Sequence, residues 1–224
     1  MRILELHIGD KTERYEIPTA WNEVSIGQYS KLMTVIEQID DISEIEAVIR
    51  TLTALIGISS SQLSKVPVRQ LKEAYAELGT LTSTMPNNEL KKVIEIKGKE
   101  YGFIPDFDNL TMGEFADLDT YLQDSWSNLD KILAVLYRPV TGRKKDKYLV
   151  EHYSLDDIKE RRELFRDNMS IDTAYGSIVF FYTIGSELTD TMLCSLSLEV
   201  EKKKKMIKML VSVVNMVGML YYTS

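Results

Sequence analysis

Cysteine is almost missing from the 224-residue chain: there is one, Cys194, so no internal disulfide can form, and a reducing compartment is the expectation. Its neighbours in "MLCSL" are apolar, which predicts a buried, inert thiol rather than a nucleophile. Histidine is equally scarce. His7 and His152, with one cysteine, cannot supply an ordinary structural zinc site. Positive charge is outnumbered, with 27 Lys and Arg against 34 Asp and Glu for a net charge of −7. Such a chain has no global attraction to phosphate, so specific nucleic-acid binding is not expected. Long apolar runs are lacking too. The most apolar segment, after Lys208, covers about 14 residues and contains Asn215, whereas a membrane span needs about 20, so no span is expected. "MRILELHIGD" turns charged too early to be expected as a signal peptide.

Catalytic patterns are missing as well. The glycines are scattered singly, so no loop is built to cradle phosphate, and "YGS" at Tyr175–Ser177 lacks the flanking residues of a nucleophile elbow. "DFDN", Asp106 to Asn109, lacks the glycine and distal glutamate of a calcium loop and reads as turn residues leading into a helix. The acid pairs Asp40-Asp41 and Asp156-Asp157 fall at turns or helix starts, where they complement the helix dipole. The expectation is a chain with no enzymatic activity, metal or cofactor.

What is present is a repeated phrase. "VSIGQYSKL", Val24 to Leu32, returns as "LTMGEFADL", Leu110 to Leu118. Ser25 and Gln28 form an S-x-x-Q capping box, and Thr111 and Glu114 form T-x-x-E. In each, the hydroxyl accepts from the third helical amide while the third side chain reaches back to the cap amide. Val24 and Leu110 are placed to staple against Tyr29 and Phe115, and Leu32 with Ile36 and Leu118 with Leu122 continue one apolar stripe. All these pairs lie 86 positions apart. Gly27 and Gly113, at the second helical position, are expected to let the preceding aromatic, Trp21 or Phe107, approach.

An alternating segment precedes each phrase. In "ILELHIGDKTERYEIP", Leu4, Leu6 and Ile8 share one face, "GDK" supplies the turn and Pro18 ends the second strand. "KVIEIKGKEYGFIP" alternates likewise, with Gly98-Lys99 as its expected turn and Ile104-Pro105 as its close. Helices follow each box. "SEIEAVIRTLTALIG" has a Ser43–Glu46 box, a stripe of Ile45, Val48, Ile49, Leu52 and Ile56, and a stop at Gly57. "NLDKILAVLYRPV" places Leu129, Ile132, Leu133 and Leu136 similarly, with Pro139 as its expected end and "TGRKKDK" as a polar loop. A third helix is expected in each copy, from Pro67 to Gly79 and from a Ser154–Asp157 cap onward. The polar "TSTMPNNE", Thr82 to Glu89, separates the copies.

From about Ser170 the helix period takes over, and "SIVFFYTIG" is read as a buried helix rather than a strand, since no alternation appears. In the tail, Met206, Met209, Met216 and Met219 are candidate partner-binding residues, because thioethers repack easily; core packing is the alternative. Lys202 to Lys205 read as a solvated face offset by Glu199 and Glu201, with a membrane-surface or phosphate contact as the alternative. The fold class is therefore α+β and predominantly α-helical. Two hairpin-plus-helices units span residues 1–81 and 90–168, and a helical C-terminal region spans 169–224.

"IPTAWNEVSIGQYSKL", "FIPDFDNLTMGEFADL" and "LAVLYRPV" resemble a protein type carried by tailed bacteriophages of Bacteroidetes hosts, including crAss-like phages. The resemblance covers most of the chain and is strongest at 14–36 and 101–140. These motifs are structural, so no functional residue is carried over. The resemblance implies a non-enzymatic virion component, made in the host cytoplasm and held in the particle as cargo or as a ring or tail-associated subunit. Its expected partners are other phage structural proteins, with many copies or homo-oligomers. A tail assembly chaperone absent from the mature virion is the alternative, and a host-directed enzyme a third expectation.

Overall fold

The computed structural model describes residues 1–107, 110–125, 127–145 and 147–192, without the side chains of Thr80 and residues 184–192. Cys194, Lys202 to Lys205 and the candidates Met206, Met209, Met216 and Met219 lie outside the described residues. The fold is α+β and mostly helical, with eight α-helices and two small antiparallel sheets among the described residues.

β1 (Arg2–Ile8) and β2 (Lys11–Ile17) form a ribbon closed at Ile8↔Lys11, which leaves Gly9-Asp10 as a two-residue turn. Gly9 takes φ 62, a left-handed value that primed hairpin turns require and side chains resist. The alternation holds: Leu6 and Ile17 are buried and Ile3 is exposed. A 3-10 turn at Trp21–Glu23 leads into α1 (Ile26–Glu37). α2 (Glu44–Ile56) is capped by Ser43, whose hydroxyl accepts from the Glu46 amide, and ends at Gly57 with φ 80. Val48 and Leu52 of its stripe are buried, but Ile45 in the first turn is exposed. The one-turn α3 (Ser60–Leu63) carries a full Ser59–Gln62 capping box that the sequence reading passed over. α4 (Val68–Thr82) starts after Pro67 but runs through Gly79 instead of stopping there. Leu78 and Leu81 are both fully buried, and that packing outweighs the ~1 kcal/mol that glycine costs inside a helix.

β3 (Val93–Ile96) and β4 (Lys99–Phe103) repeat the hairpin. The turn falls one residue earlier than expected, at Lys97-Gly98, both with positive φ. α5 (Met112–Leu122) and α6 (Leu129–Leu136) follow. The chain then passes from Leu136 directly into β5 (Tyr137–Lys144), which pairs with β4 through Phe103↔Tyr137 and Tyr101↔Pro139. β6 (Lys147–Val150) completes a sheet of order β3-β4-β5-β6. Pro139 thus sits in a strand rather than ending a helix, and of Thr141–Lys147, expected as a loop, Thr141–Lys144 and Lys147 belong to the paired strands β5 and β6. The sheet tolerates the proline because its nitrogen faces the β6 side where that ladder is ending. The Pro139 carbonyl there accepts from the Glu151 amide at 2.9 Å.

α7 (Leu155–Asn168) begins after Ser154, whose side chain makes no cap bond, contrary to the expected Ser154–Asp157 cap. α8 (Ile171–Met192) is the helix read from "SIVFFYTIG". An aromatic cluster ties α7 and α8 to the sheet: Tyr101 meets Phe165 at 5.0 Å, and Phe103 meets Tyr137 at 5.2 Å and Phe180 at 5.7 Å between ring centres, mostly edge to face. The segment between α4 and β3 is strapped down. Trp21 Nε1 donates to the Thr84 carbonyl at 2.8 Å, and the Asn87 amide donates to Asp172 Oδ1 at 2.9 Å. Among the described residues no helix is long and apolar enough to cross a membrane.

Candidate interaction surface

The two capping boxes put two chemically similar helix starts in very different surroundings. At α1, the Ser25 hydroxyl accepts from the Gln28 amide at 3.2 Å, and Gln28 Oε1 accepts from the Ser25 amide at 2.8 Å. At α5, Thr111 Oγ1 accepts from the Glu114 amide at 3.3 Å, and Glu114 Oε2 accepts from the Thr111 amide at 2.6 Å. The free end of each third-position side chain then reaches the far end of the next helix. Gln28 Nε2 donates to the Leu55 carbonyl in the last turn of α2 at 2.7 Å. Glu114 Oε1 lies 3.0 Å from Nη2 of Arg138, the second residue after α6.

This second contact is an ion pair between a nearly buried carboxylate and a nearly buried guanidinium. It is a single-point contact off the hydrogen-bonding direction, and Arg138 Nε has no partner of its own. Burial holds the neighbouring Arg161 below the usual guanidinium range; Glu151 and Asp157 oppose that shift and Arg138 adds to it. Tyr153, whose hydroxyl bonds Asp117, closes one side of α5.

Outside the boxes the two starts diverge. Val24 is fully buried and Ile26 is 2% exposed. The junction between α7 and α8, Met169–Ser170, lies antiparallel across them with Ser25 opposite Ser170, and Ile171 opens α8. The Ile26 amide donates to the Met169 carbonyl at 3.1 Å, and the Ile171 amide donates to the Val24 carbonyl at 2.8 Å. Trp21 packs edge-on to Tyr29 at 5.8 Å. Burial, and then nearby Tyr175, push the Tyr29 phenol up to about 12.

At α5 the corresponding Met112 is 81% exposed and Phe115 is 60% exposed. The staple expected between Leu110 and Phe115 therefore leaves the ring largely in solvent. Phe107, the counterpart of Trp21, turns away to Phe103 at 5.8 Å and Phe181 at 5.7 Å. Contrary to the expectation from sequence, the glycines do not make room for the preceding aromatics. A Cβ on Gly27 would come within 3.1 Å of the Arg166 carbonyl oxygen, and one on Gly113 within 3.3 Å of the Tyr153 ring. The deeper stripe does match, since Leu32 and Leu118 are both buried.

The bare face was hidden from sequence reading because Met112 and Phe115 carry the same pattern as Ile26 and Tyr29. No local signal says that one start is covered by a distant segment and the other is not. Elsewhere, no group of three or more His, Cys, Asp or Glu among the described residues could hold a metal ion. His7 is engaged by Gln70, whose Nε2 lies 2.7 Å from the ring Nδ1. Asp108 and Asn109 of "DFDN" lie outside the described residues. Comparison with protein-family models, curated proteins and solved structures gives no match.

Proposed function

We propose that this protein is a non-enzymatic component of a bacteriophage particle, held there in multiple copies by protein–protein contacts that use the start of α5. Two things support the reading. The wording of the two helix-start phrases resembles a phage protein type. The observation that carries the contact role is the pair Met112 and Phe115, two large apolar side chains one turn apart that face solvent on a capped helix. Apolar side chains held rigidly in water gain about 25 cal/mol per Å2 when a partner covers them. The ion pair behind α5 and the Tyr153–Asp117 bond fix that helix, so little conformational freedom is lost when a partner binds.

Peptide mass spectrometry of purified virions tests this directly. The expected outcome is stoichiometric recovery of this chain with the other structural proteins. Near-absence from the finished particle, with abundance in infected cells, would overturn the virion role and favour a tail assembly chaperone.

A further inference from the structure

Two arginines of the second unit are buried with too little negative charge to answer them. Arg161 lies on the inward stripe of α7, between Ile158 and Phe165, and is 5% exposed. Its Nε and Nη1 are shut off from solvent without a hydrogen-bond partner, and its guanidinium forms no ion pair with any described residue. Arg138 in β5 is 8% exposed, and its Nε is unmet in the same way. Its Nη2 meets Glu114 Oε1 off the bonding direction, which makes Glu114 the one buried carboxylate in contact with either arginine among the described residues. Burial works against the charged form of Arg161; Glu151 and Asp157 favour it, and Arg138 is close enough to work against it too. Neither Glu151 nor Asp157 is buried or within ion-pair distance, so water screens them.

A buried donor left unmet is destabilising, and more so when it carries charge, so native structures meet such groups with protein, water or ions. Water would satisfy the N–H groups but not the charge, since two cations face one carboxylate. A planar guanidinium has a side edge that includes Nε and an end edge that includes Nη1, and neither edge of Arg161 is filled. A tetrahedral oxyanion offers pairs of oxygens that fit either edge, which a halide does not. We infer that Arg138 and Arg161 bind a free inorganic oxyanion, phosphate or sulfate, as their counterion between β5 and α7. Bound there, it ties α7 to the sheet beside the Glu114–Arg138 pair. The site does not depend on the contact role of the α5 start, and either can fail without the other.

Titration calorimetry of the full-length protein with sodium phosphate, at ionic strength held constant with chloride, should give saturable 1:1 binding, and sulfate should compete. The melting temperature should rise with phosphate, the unfolding constant falling about tenfold per decade of phosphate above Kd, as one linked site requires. Arg161→Met should abolish the heat of binding. In chloride alone this variant should melt no lower than the wild type, because it removes an unpaired buried charge. Glu114→Gln lifts the competing negative charge and should tighten phosphate binding about tenfold, which no loss of packing would do. Methyl phosphate should bind at least tenfold more weakly than phosphate, since the ester blocks one oxygen; equal affinity would overturn the free ion and assign the site to a phosphoryl group on a larger molecule. Three further results would each overturn the inference: no saturable heat, unchanged affinity in Arg161→Met, or a melting temperature that rises linearly with salt in wild type and Arg161→Met alike, which is exclusion of salt from the surface. If Glu114→Gln does not fold, calorimetry of the wild type and Arg161→Met decides alone.

Discussion

The two hairpin-plus-helix stretches begin alike and end differently. In the first, β1 and β2 remain a two-stranded ribbon, and the helix start at Ser25 is buried under Met169–Ile171. In the second, β3 and β4 grow into a four-stranded sheet, and the helix start at Thr111 stays open. The box itself is conserved in form, but its third member has changed chemistry. Gln28 ties α1 to α2 through neutral bonds to Ser25 and Leu55, whereas Glu114 ties α5 to β5 through a charge pair. A local lock therefore tolerates a change of polarity, provided the next element supplies the matching partner.

The sharpest way to break this comparison is to remove that partner. Arg138→Ala leaves the Glu114 carboxylate buried without its countercharge and should cost about 3–5 kcal/mol. Gln28→Ala removes neutral bonds only and should cost about 1–3 kcal/mol. The double variant Glu114→Gln/Arg138→Met removes both buried charges while keeping the Gln–cap bond, and should recover most of the loss. Urea denaturation of the three variants measures this. Equal losses in Arg138→Ala and Gln28→Ala would mean that the second box does not depend on its ion pair.

Most of the local architecture was legible in the sequence for one reason: caps, hairpin alternation and apolar stripes are decided within a few residues. Ser25–Gln28 and Thr111–Glu114 could be read from spacing alone, and the absence of alternation in "SIVFFYTIG" correctly gave a helix. What failed was decided at a distance. Ile132 to Tyr137 is one apolar run, and nothing in it marks where α6 stops. The stop at Leu136 is set by Phe103, which pairs with Tyr137 across the sheet. The open face at Met112 and Phe115 was illegible for the same reason, because the difference from α1 resides in Met169–Ile171.

The glycines give a smaller and more asymmetric test. Gly27→Leu must push against the Arg166 backbone, which α7 holds in place, and should cost about 1–3 kcal/mol. Gly113→Leu meets chiefly the Tyr153 ring, which can turn aside with the loss of its bond to Asp117, and should cost about 0.5–1.5 kcal/mol. Thermal melting of the two variants checks the order. A larger loss at Gly113 would place the tighter junction in the wrong unit.

The smallest expected difference is the most informative about the repeated phrase itself. Ser25→Ala and Thr111→Ala each delete one hydroxyl acceptor for the third helical amide, at 3.2 and 3.3 Å. Each should cost about 1 kcal/mol. The cover over α1 bonds to the backbone of Val24 and Ile26 and leaves the Ser25 hydroxyl to its cap. Burial of one helix start should therefore not separate the two values by more than about 0.5 kcal/mol. If Ser25→Ala costs far more, the bridge to Ser170 and the cap act as one cooperative element, and the two starts are alike in geometry but not in energetics. If the losses match, the lock is a self-contained unit that each stretch uses independently of what lies on top of it.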